Sequence, residues 1–360
     1  MKFLAVKIKP KSSFHLGERE EWREGSKTYI PADTLFSALV HCYQLLYGET
    51  NNFIDQFRED PPFILSSAFP FWINDFYFPL PKNKYLLPED IHFLNDLSKE
   101  KSSDEARKSR SKESLNVKAI KKIQYVNLSA LIYLLKGEKL ISFIQKYLED
   151  RSLKTLPPLS NSEIEEKAQP ERGKIPWKMN NVPRIALNRL TSHPGGNFFH
   201  FGEVYYDKQA GLFVLIKINR PEWENKIKAL FYLLSHEGIG GDRTCGKGIL
   251  EKPEFTEIEL PEIENGNGIY CLSPYYPPDN ERDGLAEGYY ELEERKGYIF
   301  SPWERSLRRR SIRLFVEGSV FPRNKDRRGA LVDVTPEAFK AHSVYRYGLL
   351  LSLPCQLEAK

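Results

Sequence analysis

Alternating hydrophobic and polar positions open the 360-residue chain and predict a half-buried strand over residues 2–10. Apolar residues then recur every three to four positions, with Leu35 and Leu39 on one face, and predict a helix over residues 31–47. The same periodicity predicts a second helix over residues 221–236, which starts at a proline suited to a first helical turn. These segments are the most regular parts of the pattern, and the rest of the fold is built around them.

Other regular segments complete the predicted order of elements. They are a strand region of one or two strands at 63–78, helices at 128–136 and 138–149, a hairpin of 204–207 with 212–218, and a strand at 249–258. Later strand candidates are 268–272, 288–293, 297–301, 311–317 and 344–352. The order β-α-β-β-α-β predicts an α+β fold, in which an antiparallel sheet carries two helices on one face.

The chain is long enough for two domains of ordinary size. We expect a first domain over residues 1–258, with a large insertion at about 80–202, and a β-rich second domain over residues 259–360. Inside the insertion, residues 96–122 are rich in Ser, Lys, Arg and Glu and predict a solvated loop, while residues 154–178 predict a linker or a further insertion.

The segment Gly238–Gly248 places five glycines in eleven residues directly after the second predicted helix, together with Arg243 and Lys247. Glycine adopts positive φ and lets backbone N–H groups approach a ligand, so a basic loop of this kind favours a phosphate backbone. It is not a Walker loop, because Gly-Lys is followed by Gly, and it follows a helix where a dinucleotide fingerprint would precede one. The alternative is a helix C-cap followed by a tight turn.

Charge is uneven along the chain although the net charge is only +4. Residues 305–328 contain nine basic and two acidic residues, whereas residues 254–264 contain five acidic and no basic residues. The first stretch suits a polyanion, and the second suits water or a protein partner.

The four cysteines, Cys42, Cys245, Cys271 and Cys355, form no C-x-x-C pair, and no histidine lies at zinc-ligand spacing from them. No apolar run reaches the length of a membrane span, and no signal peptide is recognised. We therefore expect a cytoplasmic protein that binds no membrane, metal or cofactor.

A ferredoxin-like fold with a Gly-rich loop between its second helix and fourth strand resembles the RAMP proteins of CRISPR systems. The stretches that narrow the resemblance are Ile30–Leu39, Val182–Arg189, Gly238–Gly248, Ser311–Ser319 and the ending His342–Gly348. In this order and spacing they are similar to the family of Csm subunits that cap the crRNA 5′ end in type III-A complexes. The resemblance runs from the first strand to about residue 352, and the insertion contributes little to it.

The resemblance implies two ferredoxin-like (RRM-like) RAMP domains, the second one degenerate, in a non-catalytic RNA-binding subunit. Its implied RNA partners are the repeat-derived 5′ handle of the crRNA and the guide–target duplex, into which a hairpin of the insertion, a thumb, is expected to wedge. Its implied protein partners are the large polymerase-like CRISPR subunit and the first backbone RAMP subunit.

The resemblance also gives roles to particular residues. The Gly loop is expected to contact handle phosphates through Gly238, Gly240, Gly241, Arg243, Thr244, Gly246, Lys247 and Gly248. His15 is expected either to contact a nucleotide or to be an ordinary exposed loop histidine. Asp33 and Thr34 are expected either to cap the first helix or to contact the handle.

Two arginine-containing segments are further candidates. Arg184, Asn188 and Arg189 are predicted to form the thumb or its base, and the alternative is a surface loop. If residues 308–313 are extended, Arg309 and Arg313 share one face and are predicted to contact RNA, and the alternative is a solvated basic edge.

Two other functions remain open at this level. A crRNA-processing endoribonuclease would need a histidine general acid or base near a phosphate, and the candidates are His15 or His41, with Tyr29. Against it, His41 falls mid-helix between apolar neighbours, and the Gly loop lies far from the C-terminus, unlike in the processing enzymes. A protein scaffold that touches no RNA is disfavoured by the basic stretches.

Overall fold

The computed structural model describes residues 1–19, 22–100, 123–149, 159–160, 176–185, 187–188, 190–193, 198–301, 303–304, 306–323 and 326–357. Its helices are α1 Ala32–Tyr47, α2 Thr50–Glu59, α3 Pro88–Glu100, α4 Leu128–Leu135, α5 Leu140–Glu149 and α6 Glu224–Glu237. Its strands as far as the Gly loop are β1 Lys2–Ile8, β2 Gly17–Arg19, β3 Trp22–Ser26, β4 Phe63–Leu65, β5 Phe69–Trp72, β6 Asp75–Pro79, β7 Ile123–Asn127, β8 Leu159–Ser160, β9 Trp177–Ile185, β10 Phe198–Tyr206 and β11 Ala210–Ile218. The later strands are β12 Glu254–Glu259, β13 Gly268–Cys271, β14 Leu292–Arg295, β15 Ile312–Phe315, β16 Val320–Pro322, β17 Gly329–Asp333, β18 Tyr345–Leu349 and β19 Ser352–Cys355.

The main sheet has the strand order β12-β1-β11-β5-β6-β7-β8, with β4 also paired to β11, and its pairs are antiparallel. Strand β11 lies at its centre, and the residues from Ala210 to Ile216 are buried without alternation because both faces of the strand are covered. The predicted order of strands and helices from residue 2 to residue 259 is confirmed. The region predicted at 63–78 contains three strands, β4 to β6.

The two predicted helices are confirmed as α1 and α6, and they pack against each other. Leu35 and Leu39 of α1 are fully buried, as the apolar stripe requires. The helical patterns at 128–136 and 138–149 are confirmed as α4 and α5. Within the described residues, no helix is both long and apolar enough to cross a bilayer.

The predicted hairpin of residues 204–207 with 212–218 is wrong. Strand β10 pairs with β9 in a separate two-stranded ribbon, with Phe198 opposite Ile185 and Tyr206 opposite Trp177. The reason is that β11 has no free edge, since β1 occupies one side and β4 and β5 occupy the other. The chain therefore ends the ribbon at Tyr206 and enters the main sheet at Ala210.

The C-terminal strands pair in small antiparallel sheets, β16-β13-β19, β14-β15 and β17-β18. Candidates at 268–272, 288–293, 311–317 and 344–352 correspond to strands, although with shifted limits. Residues 297–301 form no strand and make only one isolated bridge, Tyr298 to Arg308. Tyr270 and Tyr347 join the core of the main sheet, where the rings of Tyr347 and Phe36 pack at a tilt with centroids 4.9 Å apart, so both halves of the chain share one core.

Some predictions fall on other parts of the chain. Arg189, the glycines of the 195–196 tip, residues 101–122 of the predicted loop and most of the 154–178 linker lie outside the described residues.

Candidate nucleic-acid interface

The Gly loop folds back on the segment that follows β1. Gly238, Gly240 and Gly248 have φ of 73°, 94° and 70°. A Cβ on Gly240 would lie 2.6 Å from the carbonyl oxygen of His15, and a Cβ on Gly248 would collide with the carbonyl of Ile239. These glycines therefore serve close backbone packing as well as chain reversal.

Several backbone N–H groups of the loop already have acceptors inside the protein. Gly241 donates to the carbonyl of His15 at 3.0 Å, and Gly248 donates to the carbonyl of Ser13 at 2.9 Å. Gly238 and Gly246 also donate to internal carbonyls. The structure contradicts the prediction that these four N–H groups contact phosphates, because each is satisfied by the fold. Thr244 and Gly246 are exposed at the tip of the loop, where a Cβ on Gly246 would meet nothing within 4 Å.

Glu203 of β10 joins the Gly loop to the β9–β10 ribbon. Its carboxylate is 1% exposed and accepts hydrogen bonds from Ser13 Oγ at 2.7 Å, Lys247 Nζ at 2.8 Å and Arg184 Nη2 at 2.9 Å. The Tyr205 hydroxyl also donates to it, at 2.9 Å. Arg184 continues the network to Asp242 of the Gly loop. Lys247 and Arg184, predicted to face RNA, are therefore partly neutralised by acids of the protein itself.

The pKa of Glu203 reflects these four hydrogen bonds. Burial alone would raise the pKa of Glu203, but the hydrogen bonds from Lys247, Ser13, Tyr205 and Arg184 outweigh it and lower the pKa to about 2. The pKa of Lys247 is raised, mainly by its hydrogen bond to Glu203. Glu203 and Lys247 are therefore both ionised at neutral pH.

His15 is half-buried beside this network. Its Nδ1 lies 2.6 Å from the carbonyl oxygen of Gly202, and its ring packs on Phe201 with centroids 4.0 Å apart. Arg184 lies over the same Phe201 ring at 4.2 Å. Burial is the largest influence on His15 and lowers its pKa, so the imidazole is mainly neutral at neutral pH.

A cleft of about 640 Å³ opens between the Gly loop, the start of α1 and the segment after β14. Four predicted residues line it, namely His15, Thr34, Gly240 and Gly241. The cleft is also lined by residues that the sequence pattern does not single out, among them Lys27, Arg295, Tyr298, Ile299 and Phe300. Aromatic residues flank Ile299 in the sequence, and this pattern predicts a strand without indicating that the rings line a cleft.

Asp33 neither caps α1 nor reaches the surface. Helix α1 has Pro31 at its N-cap and no side-chain cap, and Asp33 is fully buried. Its carboxylate pairs with Arg346 and, at 3.7 Å, with Arg295. Burial would raise the Asp33 pKa, but the two arginines lower it. Both predicted roles are therefore wrong for Asp33, which instead joins α1 to the C-terminal half.

The remaining candidates lie away from the cleft or at its rim. Asn188 is exposed, and its side-chain oxygen accepts from the N–H groups of Leu190 and Thr191, which closes a turn at the ribbon tip. Arg309 donates to the carbonyl of Tyr298 at 3.0 Å. Arg313 is exposed on β15 opposite Glu294, whereas Arg309 precedes that strand, so the two arginines do not share a single strand face.

No group of three or more His, Cys, Asp or Glu residues in the described part of the chain is arranged to hold a metal ion. The cysteines Cys42, Cys245, Cys271 and Cys355 are all free.

The sequence of this chain is similar to known CRISPR proteins. Residues 264–355 match the model of the CRISPR Csm4 C-terminal domain. A curated protein of Methanocaldococcus jannaschii, described as CRISPR system Cms protein Csm4, is 27% identical over 361 residues, which cover 94% of this chain and 89% of that protein.

Solved structures share the fold at lower identity. A chain in the Csm3-Csm4 subcomplex of the type III-A CRISPR-Cas interference complex is 20% identical with a TM-score of 0.60, over 99% of this chain and 100% of that one. A chain in the Csm1-Csm4 cassette bound to pppApA is 20% identical with a TM-score of 0.56, over 100% of both chains. The matched C-terminal domain and the full-length relative both make this chain similar to Csm4 proteins of CRISPR systems, and the solved structures share its fold.

Proposed function

We propose that this chain is a non-catalytic RNA-binding subunit of a type III-A CRISPR effector complex, and that it holds the repeat-derived 5′ handle of the crRNA. It would bridge the large polymerase-like subunit and the first backbone subunit. Solved relatives support this placement, because structures described as Csm1-Csm4 and Csm3-Csm4 assemblies share the fold along nearly the whole chain.

The observation that carries the proposal is the convergence of distant segments on one cleft. His15 and Thr34 meet the Gly loop there, although more than two hundred residues of sequence separate both of them from it. Lys27 and Arg295 line the cleft, and Arg243 lies 5.1 Å from the ring of Phe300 at its edge. A cleft lined by cations, aromatics and a glycine loop suits single-stranded RNA.

The strand order supports RAMP architecture for the first domain. Strands β12, β1, β11 and β5 lie in the order expected of the fourth, first, third and second strands of a β-α-β-β-α-β unit. The smaller sheets after residue 260 would be the second, degenerate ferredoxin-like domain.

The β9–β10 ribbon would be the thumb. Exposed apolar side chains gather towards its tip, at Ile185, Leu187, Leu190 and Phe198, and Leu190 is 96% exposed. Side chains of this kind can wedge between base pairs, whereas an isolated surface ribbon gains nothing by exposing them. The ribbon would therefore contact the guide–target duplex.

The geometry weighs against a processing nuclease. Tyr29 donates to Glu317 at 3.1 Å, and burial raises its pKa well above the usual range. His41 lies 3.6 Å from Glu237 and packs edge-on against Phe300. Neither histidine is paired with Tyr29 in a proton-transfer arrangement, so the residues suited to acid–base chemistry serve packing.

The test is binding of labelled handle-bearing RNA and of scrambled RNA, in EDTA, on native and denaturing gels. We expect a shifted, intact band that is stronger with the handle RNA. The double variant Arg243→Ala with Lys247→Ala should weaken binding. It should also reduce the slope of log affinity against log salt concentration by about 0.7 for each lost phosphate contact. The matched control, Lys2→Ala with Lys217→Ala, removes two exposed lysines outside the cleft.

Three results would contradict the proposal. They are equal binding of handle and scrambled RNA, specific cleavage of the handle RNA, and an unchanged salt slope in the Arg243 and Lys247 variant. Cleavage that disappears with His15→Ala would favour the processing nuclease.

A further inference from the structure

Two aromatic side chains stand at the mouth of the cleft. Tyr298 is 48% exposed and Phe300 is 54% exposed, while Ile299 between them is buried. Ile299 packs in a small core with Val334, Phe339 and Val344, and its two neighbours remain about half exposed. Both rings line the cleft together with Gly240 and Gly241 of the Gly loop. An aromatic pair presented to solvent in this way is unfavourable for a free surface and suits a ligand with a flat apolar face.

Each ring has a guanidinium beside it. The Arg243 guanidinium carbon lies 5.1 Å from the Phe300 centroid, and that of Arg308 lies 5.4 Å from the Tyr298 centroid. Arg243 comes from the Gly loop and Arg308 from the C-terminal half, so positive charge flanks the pair on two sides. Aromatic rings that stack bases, bordered by cations that contact phosphates, are the usual elements of single-strand recognition.

The cleft behind the rings is large enough for part of a nucleotide. Its volume of about 640 Å³ falls within the roughly 300–1,000 Å³ typical of small-molecule sites. Thr34, Lys27 and Arg295 also line the cleft and carry hydrogen-bond donors, although Lys27 is paired with Glu293 and Arg295 with Asp33 and Glu293. A base that stacks at the mouth would turn its polar edge towards these groups.

We propose that Tyr298 and Phe300 form a stacking site for an unpaired base of the bound RNA, whose edge enters the cleft. The inference rests on the proposed function and adds the chemical class of the recognised group, an unstacked nucleobase. A base within a duplex has both faces covered by its neighbours and cannot occupy the site. The site would therefore select single-stranded RNA and tolerate different bases.

The first measurement is the affinity of Phe300→Ala and Tyr298→Ala for handle-bearing RNA. Loss of a stacking ring should weaken binding about ten-fold. Phe300→Leu keeps apolar bulk without a ring face and should lose a similar factor. Trp303→Ala is the matched control, because Trp303 is 72% exposed on the same segment but does not line the cleft.

The second measurement uses RNAs in which single handle nucleotides are made abasic. At one position the missing base should weaken wild-type binding by a similar factor, and Phe300→Ala should then cause no further loss. With 5-iodouridine at that position, photo-crosslinking should recover Tyr298 or Phe300 in the crosslinked peptide.

Two results would overturn the stacking site while leaving the proposed function intact. One is undiminished affinity of Phe300→Ala for handle RNA. The other is an equal loss on intact RNA and on every abasic RNA. If the wild-type protein does not prefer handle RNA over scrambled RNA, the proposed function itself fails and the stacking site fails with it.

Discussion

Replacing Glu203 with glutamine tests the centre of the charge network. The glutamate accepts hydrogen bonds from four side chains, and glutamine offers one oxygen together with an amide that donates. The amide N–H groups would face the ammonium of Lys247 or the guanidinium of Arg184, and two donors cannot form a hydrogen bond with each other. The variant therefore keeps the volume of Glu203 and removes its charge and half of its acceptors.

The magnitude follows from the structure. A carboxyl pKa lowered from 4.5 to about 2 corresponds to about 3 kcal/mol of folding free energy at neutral pH, as an order of magnitude. Arg184 and Lys247 are 26% and 27% exposed, so water can partly solvate them when the carboxylate is lost. We expect Glu203→Gln to lower the free energy of unfolding by about 2–3 kcal/mol, less than breaking a fully buried pair.

The pH dependence has a definite sign. Because the folded-state pKa of Glu203 is below its unfolded value, its contribution is present above about pH 4.5 and is lost as the pH falls towards 2. The stability difference between wild type and Glu203→Gln should therefore shrink across that interval.

The assay is equilibrium unfolding in urea, followed by tryptophan fluorescence at neutral pH and at several acidic values. Glu257→Gln is the matched control, because Glu257 is exposed on β12, and we expect a change within about 0.5 kcal/mol. An equally small change for Glu203→Gln, or a difference that does not narrow in acid, would refute the reasoning. Under the proposed function, RNA binding should respond in the opposite direction, since Lys247 and Arg184 are released for phosphates and the salt dependence should steepen.

Further predictions concern the Gly loop and the buried arginines. Gly248→Ala should destabilise the protein by about 3 kcal/mol or more, because the added Cβ collides with backbone atoms at a position of positive φ. Gly246→Ala should cost only about 1–2 kcal/mol, because its Cβ meets no neighbour and only the positive φ is unfavourable. Thermal unfolding of both variants measures the difference. Asp33→Asn should cost about 3–5 kcal/mol by leaving Arg295 and Arg346 without a buried counter-charge, and a urea midpoint no lower than that of wild type would contradict it. Leu190→Ser should leave stability unchanged within about 0.5 kcal/mol because the side chain is solvent-exposed, while a thumb role predicts weaker binding of guide–target duplex in a filter-binding assay.

Local patterns located the elements that make their own hydrogen bonds or turn at glycine. The apolar stripes of α1 and α6 follow a period of 3.6 residues, and each helix satisfies its backbone within one segment. The Gly loop was found because its positive φ values require glycine at several positions. Those features depend on neighbours in sequence, and for that reason the pattern predicts them.

Pairing and charge partners depend on distant parts of the chain. Strand β10 pairs with β9 because both edges of β11 are already occupied, which no local pattern records. Asp33 is a residue type that often caps helices and lies near the start of α1. Its carboxylate is instead buried in an ion pair with Arg346, which is more than three hundred residues away in the sequence.

The sequence by itself determined the β-α-β-β-α-β order, the two helices and the position of the basic glycine loop. Only the tertiary structure decided that Glu203 neutralises the loop's Lys247, and that Tyr298 and Phe300 line the same cleft as His15. The physical reason is that the local periodicity of apolar residues indicates which side of a helix or strand is buried. Which residues pack against that side depends instead on how the whole chain packs into one core.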